Sequence, residues 1–292
     1  MAAAMASFTM NDTITKSVAS ELNIGEIIVV RGLFAMVMIA AFAAWRGALR
    51  SPRVLLIRPV GMRVIGEIGG TLTFLSAITH MPLANAAAIF QALPLVITLG
   101  AALVFREPVG WRRWLAIAVG FIGVIVIVRP GTTGFNEFSL LALSSVAFCI
   151  VRDLATRRIP TAIPSLFIAL LTTFTVTTAG AVIIYPLGGW ISPSGRAVGL
   201  LAVAAVLLLI GYQCIISALR TGEISAVAPF RYTALIWAML LGYLAFGDRP
   251  DAFMLLGAAI IVLSGLYTFY RERVRNRLRP AASASGSPPE GV

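Results

Sequence analysis

Leu200-Leu201-Ala202-Val203-Ala204-Ala205-Val206-Leu207-Leu208-Leu209-Ile210-Gly211 is the middle of an apolar run from Ala197 to Leu219, bounded by Arg196 and Arg220. At about 1.5 Å per residue, a helix of this length crosses the roughly 30 Å hydrocarbon core of a bilayer. No charge falls within it, and Tyr212-Gln213 is its main polar interruption. The pattern recurs along the chain: 1–19, 25–45, 60–79, 85–105, 111–128, 138–156, 162–187, 197–219, 225–247 and 251–270 predict an all-α integral membrane protein with ten transmembrane helices. The glycines and single polar residues within these runs are tolerated in membrane helices when neighbours satisfy the freed groups.

Composition agrees with this reading. Of 292 residues, 59% are hydrophobic and 12% charged, against about 25% charged in a soluble domain. So few charges could not cover so much apolar side chain in water. Low hydrophobicity, the signature of disorder, is absent. Two cysteines 65 positions apart, Cys149 and Cys214, do not make a disulfide scaffold. The first span is the shortest, with ten residues before Asn11-Asp12, roughly 15 Å of helix. This predicts a short first helix or a start codon placed late. A signal peptide does not fit, because no basic residue precedes Lys16.

The net charge of +11 marks topology rather than nucleic-acid binding. With the N-terminus inside, seventeen arginines fall in cytoplasmic segments, while Lys16, Arg129, Arg196 and Arg249 fall on the opposite side. Arg31 and Arg231 lie within spans. The positive-inside rule then predicts a multi-pass inner-membrane protein with both termini cytoplasmic. Residues 272–292 read as a basic stretch followed by a Pro/Ser/Gly/Ala-rich cytoplasmic tail expected to be disordered.

A shift of about 141 positions overlays the two halves: Asn11-Asp12 on Arg152-Asp153, Lys16 on Arg157, and Phe105-Arg106-Glu107 on Phe246-Gly247-Asp248. A shift of 140 brings Phe90-Gln91 onto Phe230-Arg231. Five spans per half is an odd number, so the second half inserts with the opposite orientation. Inverted repeats of this kind build many secondary transporters, with the substrate site between the halves near the midplane.

The segment from Leu83-Ala84-Asn85-Ala86-Ala87 through Phe105-Arg106-Glu107-Pro108, Gly110-Trp111-Arg112-Arg113-Trp114 and Gly120-Phe121-Ile122-Gly123-Val124 to Arg129-Pro130-Gly131 resembles an EamA domain. That is the five-helix unit of the drug/metabolite transporter superfamily. Residues 220–271 resemble it again, and the likeness covers most of 5–271. The resemblance implies two repeats, 1–131 and 132–271, around a cavity lined by helices 1, 3, 4, 6, 8 and 9. It also implies alternating access without ATP. Asn11-Asp12 and Gly25-Glu26-Ile27-Ile28-Val29-Val30-Arg31 look most similar to the riboflavin-uptake branch. S-adenosylmethionine uptake and export of amino acids or drugs are the alternatives within the family.

Ionisable groups inside a bilayer are expensive and mark function. Glu67, within Gly66-Glu67-Ile68-Gly69-Gly70, is a candidate to carry a proton or cation, with Asp12 as a second; Arg63, four positions before Glu67, could neutralise it. Asp12 and Lys16 stand four apart and could pair. Arg231 could bind a substrate carboxylate or phosphate, or pair with Glu67 to hold the halves together. Tyr212, Tyr232 and Trp237 could pack on a planar group, and Gln91 could supply hydrogen bonds near Pro94. Arg152 and Asp153 are a candidate gating pair at the inner mouth. Arg31 is expected to pair with Glu26 or to snorkel outward.

No Gly-x-x-x-x-Gly-Lys-Ser/Thr loop or His-Glu-x-x-His occurs, and one histidine with two distant cysteines suits no common zinc site. The expectation is therefore a secondary transporter of a small polar metabolite, not an enzyme, without cofactor or metal. Its partners would be a small-molecule substrate, the lipid bilayer and a coupled proton, with no nucleic acid; a homodimer is compatible. A non-transporting membrane receptor or scaffold is the reading from a different class.

Overall fold

The computed structural model describes residues 1–105, 110–131, 136–160, 162–221 and 228–278. The Arg106-Glu107-Pro108 motif and the tail from Arg279 lie outside the described residues, as do 225–227 of the ninth span. The described residues are helical, with no strand among them. The helices are α1 (Ala2–Val18), α2 (Ile24–Trp45), α3 (Arg58–His80), α4 (Leu83–Phe90), α5 (Leu93–Val104), α6 (Trp111–Val128), α7 (Phe138–Thr156), α8 (Ser165–Ile184), α9 (Gly195–Thr221), α10 (Thr233–Phe246) and α11 (Ala252–Leu278). Among them, eight segments are long and apolar enough to cross a membrane. α1, at 17 residues, and α3, whose apolar residues are diluted by Arg63, Glu67 and a Gly/Thr run, fall outside that measure.

Two spans depart from a single continuous helix. The run 85–105 is two helices broken at Gln91-Ala92. Pro94 has no N–H to offer the carbonyl four residues back, and its ring crowds that carbonyl. In the ninth span, a 3-10 turn over Ala228–Tyr232, containing Pro229, precedes α10.

Local chemistry sets the other starts and stops. Asn23 caps α2 in a reciprocal box: its side chain accepts from the Glu26 amide at 3.0 Å, and Glu26 accepts from the Asn23 amide at 2.9 Å. The second Glu26 oxygen accepts from the Ile191 amide, tying the α8–α9 connection to this helix end. Glu26 is fully buried by these contacts. Arg31 therefore does not pair with Glu26; that expectation is corrected, because the cap and Ile191 occupy the carboxylate.

The main packing pairs are α3 with α7, α6 with α11, α2 with α8, and α1 with α9. Next come α1 with α10, α4 with α10, α4 and α5 with α7, α2 with α9, and α3 with α8. Ile27, Ile78, Leu83, Ile89, Leu201, Met254 and Ile261 are fully buried where these pairs meet, whereas Val37, Leu103, Leu244 and Leu263 lie exposed on the periphery. Apolar residues facing outward suit a hydrocarbon solvent.

Hydrocarbon provides no hydrophobic drive between helices, so close approach and van der Waals contact must hold them together. Glycines supply the approach. A Cβ on Gly66 would stand 2.7 Å from both the Arg152 amide nitrogen and the Phe148 carbonyl oxygen, so α3 and α7 touch backbone to backbone. Gly123 and Gly257 bring α6 and α11 together in the same way, with Cβ positions 2.8 and 2.6 Å from each other's carbonyls.

Gly66→Ala must therefore push α3 from α7, at a cost of about 1–3 kcal/mol for overpacking. Gly199→Ala, which meets nothing within 4 Å, serves as the control. Thermal unfolding in detergent should show a lower Tm for the first and no loss for the second.

Candidate functional site

Among the described residues, charged side chains form three groups inside the bundle, and further ion pairs close its ends. The first lies between α3 and α7. Glu67 sits 3.6 Å from Arg152 and 3.8 Å from Arg63. Arg152 also donates to Asp153 at 2.8 Å, and Arg63 donates to Thr156 at 2.6 Å. The expected Arg152–Asp153 pair is thus present and extends into a chain of four ionised groups. The alternative pairing of Arg231 with Glu67 is corrected: two arginines closer to hand already hold Glu67.

The second group joins α1, α2 and α9. Arg31 donates to Asn11 at 3.2 Å and to Thr15 at 3.4 Å, and the Asn11 amide donates to Asp12 at 3.0 Å. Arg31 faces inward onto α1 rather than snorkelling out. The Tyr212 ring, 47% exposed, meets Phe8 edge-on at 5.3 Å. Arg31, Arg63, Glu67 and Arg152 all act electrostatically on its hydroxyl. Tyr212 thus joins the first two groups, while the neighbouring Gln213 is exposed.

The third group sits where the two broken spans cross. Gln91 is buried and donates to the Arg231 backbone carbonyl at 3.2 Å. The Gln91 side chain thus gives a partner to a backbone carbonyl of the 3-10 turn that leads into α10. Among the described residues no hydrogen bond or ion pair holds the Arg231 guanidinium; Asp153 attracts it and Arg152 repels it. The Tyr232 ring is buried with its hydroxyl against Gly265, without a hydrogen-bond partner among the described residues. Trp237 is half-buried on α10.

The Lys16 ammonium closes the far end. It donates to the Met81 carbonyl at 2.8 Å and to Asp248 at 3.3 Å, and it lies 4.7 Å from the centre of the Phe246 ring. Asp248 also accepts from the Leu83 amide at 3.4 Å. The expected Asp12–Lys16 pair is corrected: Lys16 reaches across to α10, and Asp12 turns to Asn11. Sequence reading missed Asp248 as the partner, although the overlay of Gly247-Asp248 on Arg106-Glu107 had marked it. His80 stacks on Phe138 at 4.3 Å at the same end.

Arg129, in the left-handed region at φ 50, ends α6 and pairs with Asp251. The other Asp251 oxygen caps α11 by accepting from the Met254 amide at 2.7 Å. Partial burial pushes the Asp251 carboxyl up, but the Met254 amide and Arg129 outweigh it and hold it below the usual carboxylate range. Among the described residues no group of three or more His, Cys, Asp or Glu could hold a metal ion.

A pattern of long apolar helices, glycine-mediated packing and ion pairs inside the bundle defines a polytopic membrane protein. The chain belongs to the EamA-like transporter family, whose pattern matches residues 1–129 and 138–270. It is 32% identical to the riboflavin transporter of Vibrio cholerae over 223 residues, covering 74% of this chain and 72% of that one. It is 25% identical to the S-adenosylmethionine uptake transporter of Rickettsia prowazekii over 268 residues, covering 91% and 89%. The pseudopaline exporter CntI of Pseudomonas aeruginosa is 24% identical over 273 residues, covering 90% and 92%. A solved crystal structure, 16% identical, covers 92% of this chain and 96% of its own with a TM-score of 0.65, a likeness of fold. The protein is a transporter rather than an enzyme.

A double-mutant cycle tests the ion-pair assignment. Glu67→Gln and Arg152→Gln should couple by about 1–3 kcal/mol in unfolding free energy, whereas Glu67→Gln and Arg231→Gln should add within about 0.5 kcal/mol. Coupling only in the second cycle would restore the Arg231–Glu67 pair.

Asp251, with its lowered folded pKa, contributes stability that is complete above the ordinary carboxylate range and lost as pH falls through the lowered value. Asp251→Ala should lower stability by about 1 kcal/mol at neutral pH through loss of the cap. Measured as Tm, the gap from wild type should shrink below about pH 4.

Proposed function

We propose that the chain is a secondary transporter that takes up riboflavin across the inner membrane by alternating access. It would do so with ten membrane helices in two inverted repeats, 1–131 and 132–271, and with both termini cytoplasmic. The observation that carries the transport mechanism is the set of charges paired across the repeat boundary. Glu67 of the first repeat is paired with Arg152 of the second, and Lys16 of the first with Asp248 of the second. Each tie joins the halves at a different end of the bundle, as two gates that open in turn require.

The packing pairs support the repeats. Exchanging each helix for its counterpart in the other half turns α3–α7 into α1–α9, and α1–α10 into the contact of α4 and α5 with α7; α2–α9 becomes α3–α8. The pairs α2–α8, α6–α11 and α4–α10 map onto themselves. Gln91 and Arg231, overlaid by the repeat, also meet each other, as equivalent positions do only on the axis relating two halves. The basic loops support the orientation.

The Vibrio relative supports riboflavin as cargo. In this reading the Arg231 guanidinium donates to the carbonyl edge of the flavin and the exposed Tyr212 ring takes its plane. Gln91 positions Arg231 through the backbone, Trp237 completes the wall and Tyr232 orders α10 against Gly265. Glu67 is committed to two arginines, which leaves Asp12, accepting from the Asn11 amide beside Arg31, to take the coupled proton. Arg152 and Asp153 act at the inner gate. Differential binding to the two gate states supplies the coupling.

Riboflavin uptake at low external concentration, in cells unable to synthesise it, tests the proposal. The wild type should rescue growth, and Arg231→Ala should lower uptake tenfold or more, as for loss of a charged hydrogen bond worth about 1.5–3 kcal/mol. Asp12→Asn should lose accumulation driven by pH while keeping counterflow exchange. No rescue at confirmed membrane expression overturns riboflavin as cargo. S-adenosylmethionine uptake is then the assay to run, since those relatives match over a larger share of the chain.

A further inference from the structure

A cleft between the ends of α3, α5 and α7 shares no lining residue with the groups assigned above. It holds about 460 Å³ and is lined by Arg58, Pro59, Met62, Val104, Val151, Leu154, Ala155 and Arg158. The lining divides by chemistry: two guanidinium groups belong to the end where α3 begins and α7 finishes, and the rest is apolar. Met62, Val104 and Val151 are exposed, so the apolar part opens sideways toward hydrocarbon. Among the described residues no carboxylate lines the cleft, and none pairs with Arg58 or Arg158.

The arginine end is organised before any ligand arrives. The Arg158 guanidinium lies 5.0 Å from the centre of the Phe105 ring, which holds it beside the cleft. α3 starts at Arg58 with Pro59 in its first turn and no side-chain cap. The positive end of its dipole therefore points to the same place. A free anion would gain from the charges but leave the apolar wall bare. An apolar molecule would leave two guanidinium groups without counter-ions.

We propose that this cleft is a binding site for an anionic phospholipid. Its phosphodiester sits between Arg58 and Arg158, and the start of its acyl chains lies on Met62, Val104, Val151 and Leu154. A basic cleft between membrane helices on the cytoplasmic side is suited to such a headgroup, and the volume lies within the range of small-molecule sites. The leaflet rests on the orientation proposed above; the site itself does not. The lipid would brace the same α3–α7 pair that carries Arg63–Thr156 and Glu67–Arg152.

Native mass spectrometry of the full chain in mild detergent, with phosphatidylglycerol or phosphatidylcholine added at equal concentration, reads the site directly. Wild type should retain phosphatidylglycerol in preference to phosphatidylcholine. The Arg58→Gln/Arg158→Gln double variant should lose that retention about 30-fold, as expected for two basic residues near a headgroup. Arg50→Gln/Arg53→Gln removes the same charge from the same end of the bundle outside the cleft and should keep it. Equal retention of the two lipids, or equal loss in both double variants, overturns the proposal. If the cleft double variant is not recovered monodisperse, the single variants read the loss in smaller steps, and no loss in either overturns it. Lipid retention in detergent does not depend on cargo or leaflet, so it separates failure of this site from failure of the transport proposal.

Discussion

An ionised carboxylate inside a helical membrane bundle needs a cation or hydrogen-bond donors within reach, and that requirement shapes the α3–α7 contact. Glu67 satisfies it with Arg63 one turn back and with Arg152 across the interface. Arg152 can reach it because Gly66, one residue before, lets the two backbones touch. The glycine and the ion pair are one device: a side chain at 66 would part the helices and leave a costly charge poorly paired. Thr156 and Asp153 extend the pairing.

The opposite end repeats the logic with a different cast. Lys16 on α1 gathers a carbonyl, a carboxylate and an aromatic face from the α3–α4 junction and the end of α10. Between the two ends, the broken spans cross at Gln91 and Arg231. A break in a membrane helix frees backbone groups that water cannot satisfy, and the Gln91 side chain meets one of them. The Arg231 guanidinium is left without a hydrogen-bonding partner among the described residues, unlike Arg31, Arg63 and Arg152, which supports the ligand-binding role proposed for it.

Much of the candidate site was legible in the residues alone, because charge within an apolar run is visible without a fold. Asp12, Glu67, Arg152, Asp153 and Arg231 all announce themselves in this way. Their partners did not. Helical spacing suggested Asp12 with Lys16 and nearness in sequence suggested Glu26 with Arg31. In both cases a long-range contact wins. Lys16 is drawn across to Asp248, and Glu26 is consumed by the Asn23 cap and the Ile191 amide. Tyr232 was read as an aromatic wall, yet the small Gly265 beside it draws its ring into the α11 contact. The length of the fourth span hid its break, although Pro94 was in plain view.

By itself the sequence determined the solvent, the helical class and the family. Apolar runs of membrane length admit no other backbone that satisfies its own hydrogen bonds, and the EamA pattern lies in local motifs. It also determined which side chains are too costly to bury without purpose. Only the tertiary structure decided who pairs with whom. Helix-to-helix register depends on where glycines let backbones meet, and those meetings join residues such as Lys16 and Asp248 that chain order keeps far apart.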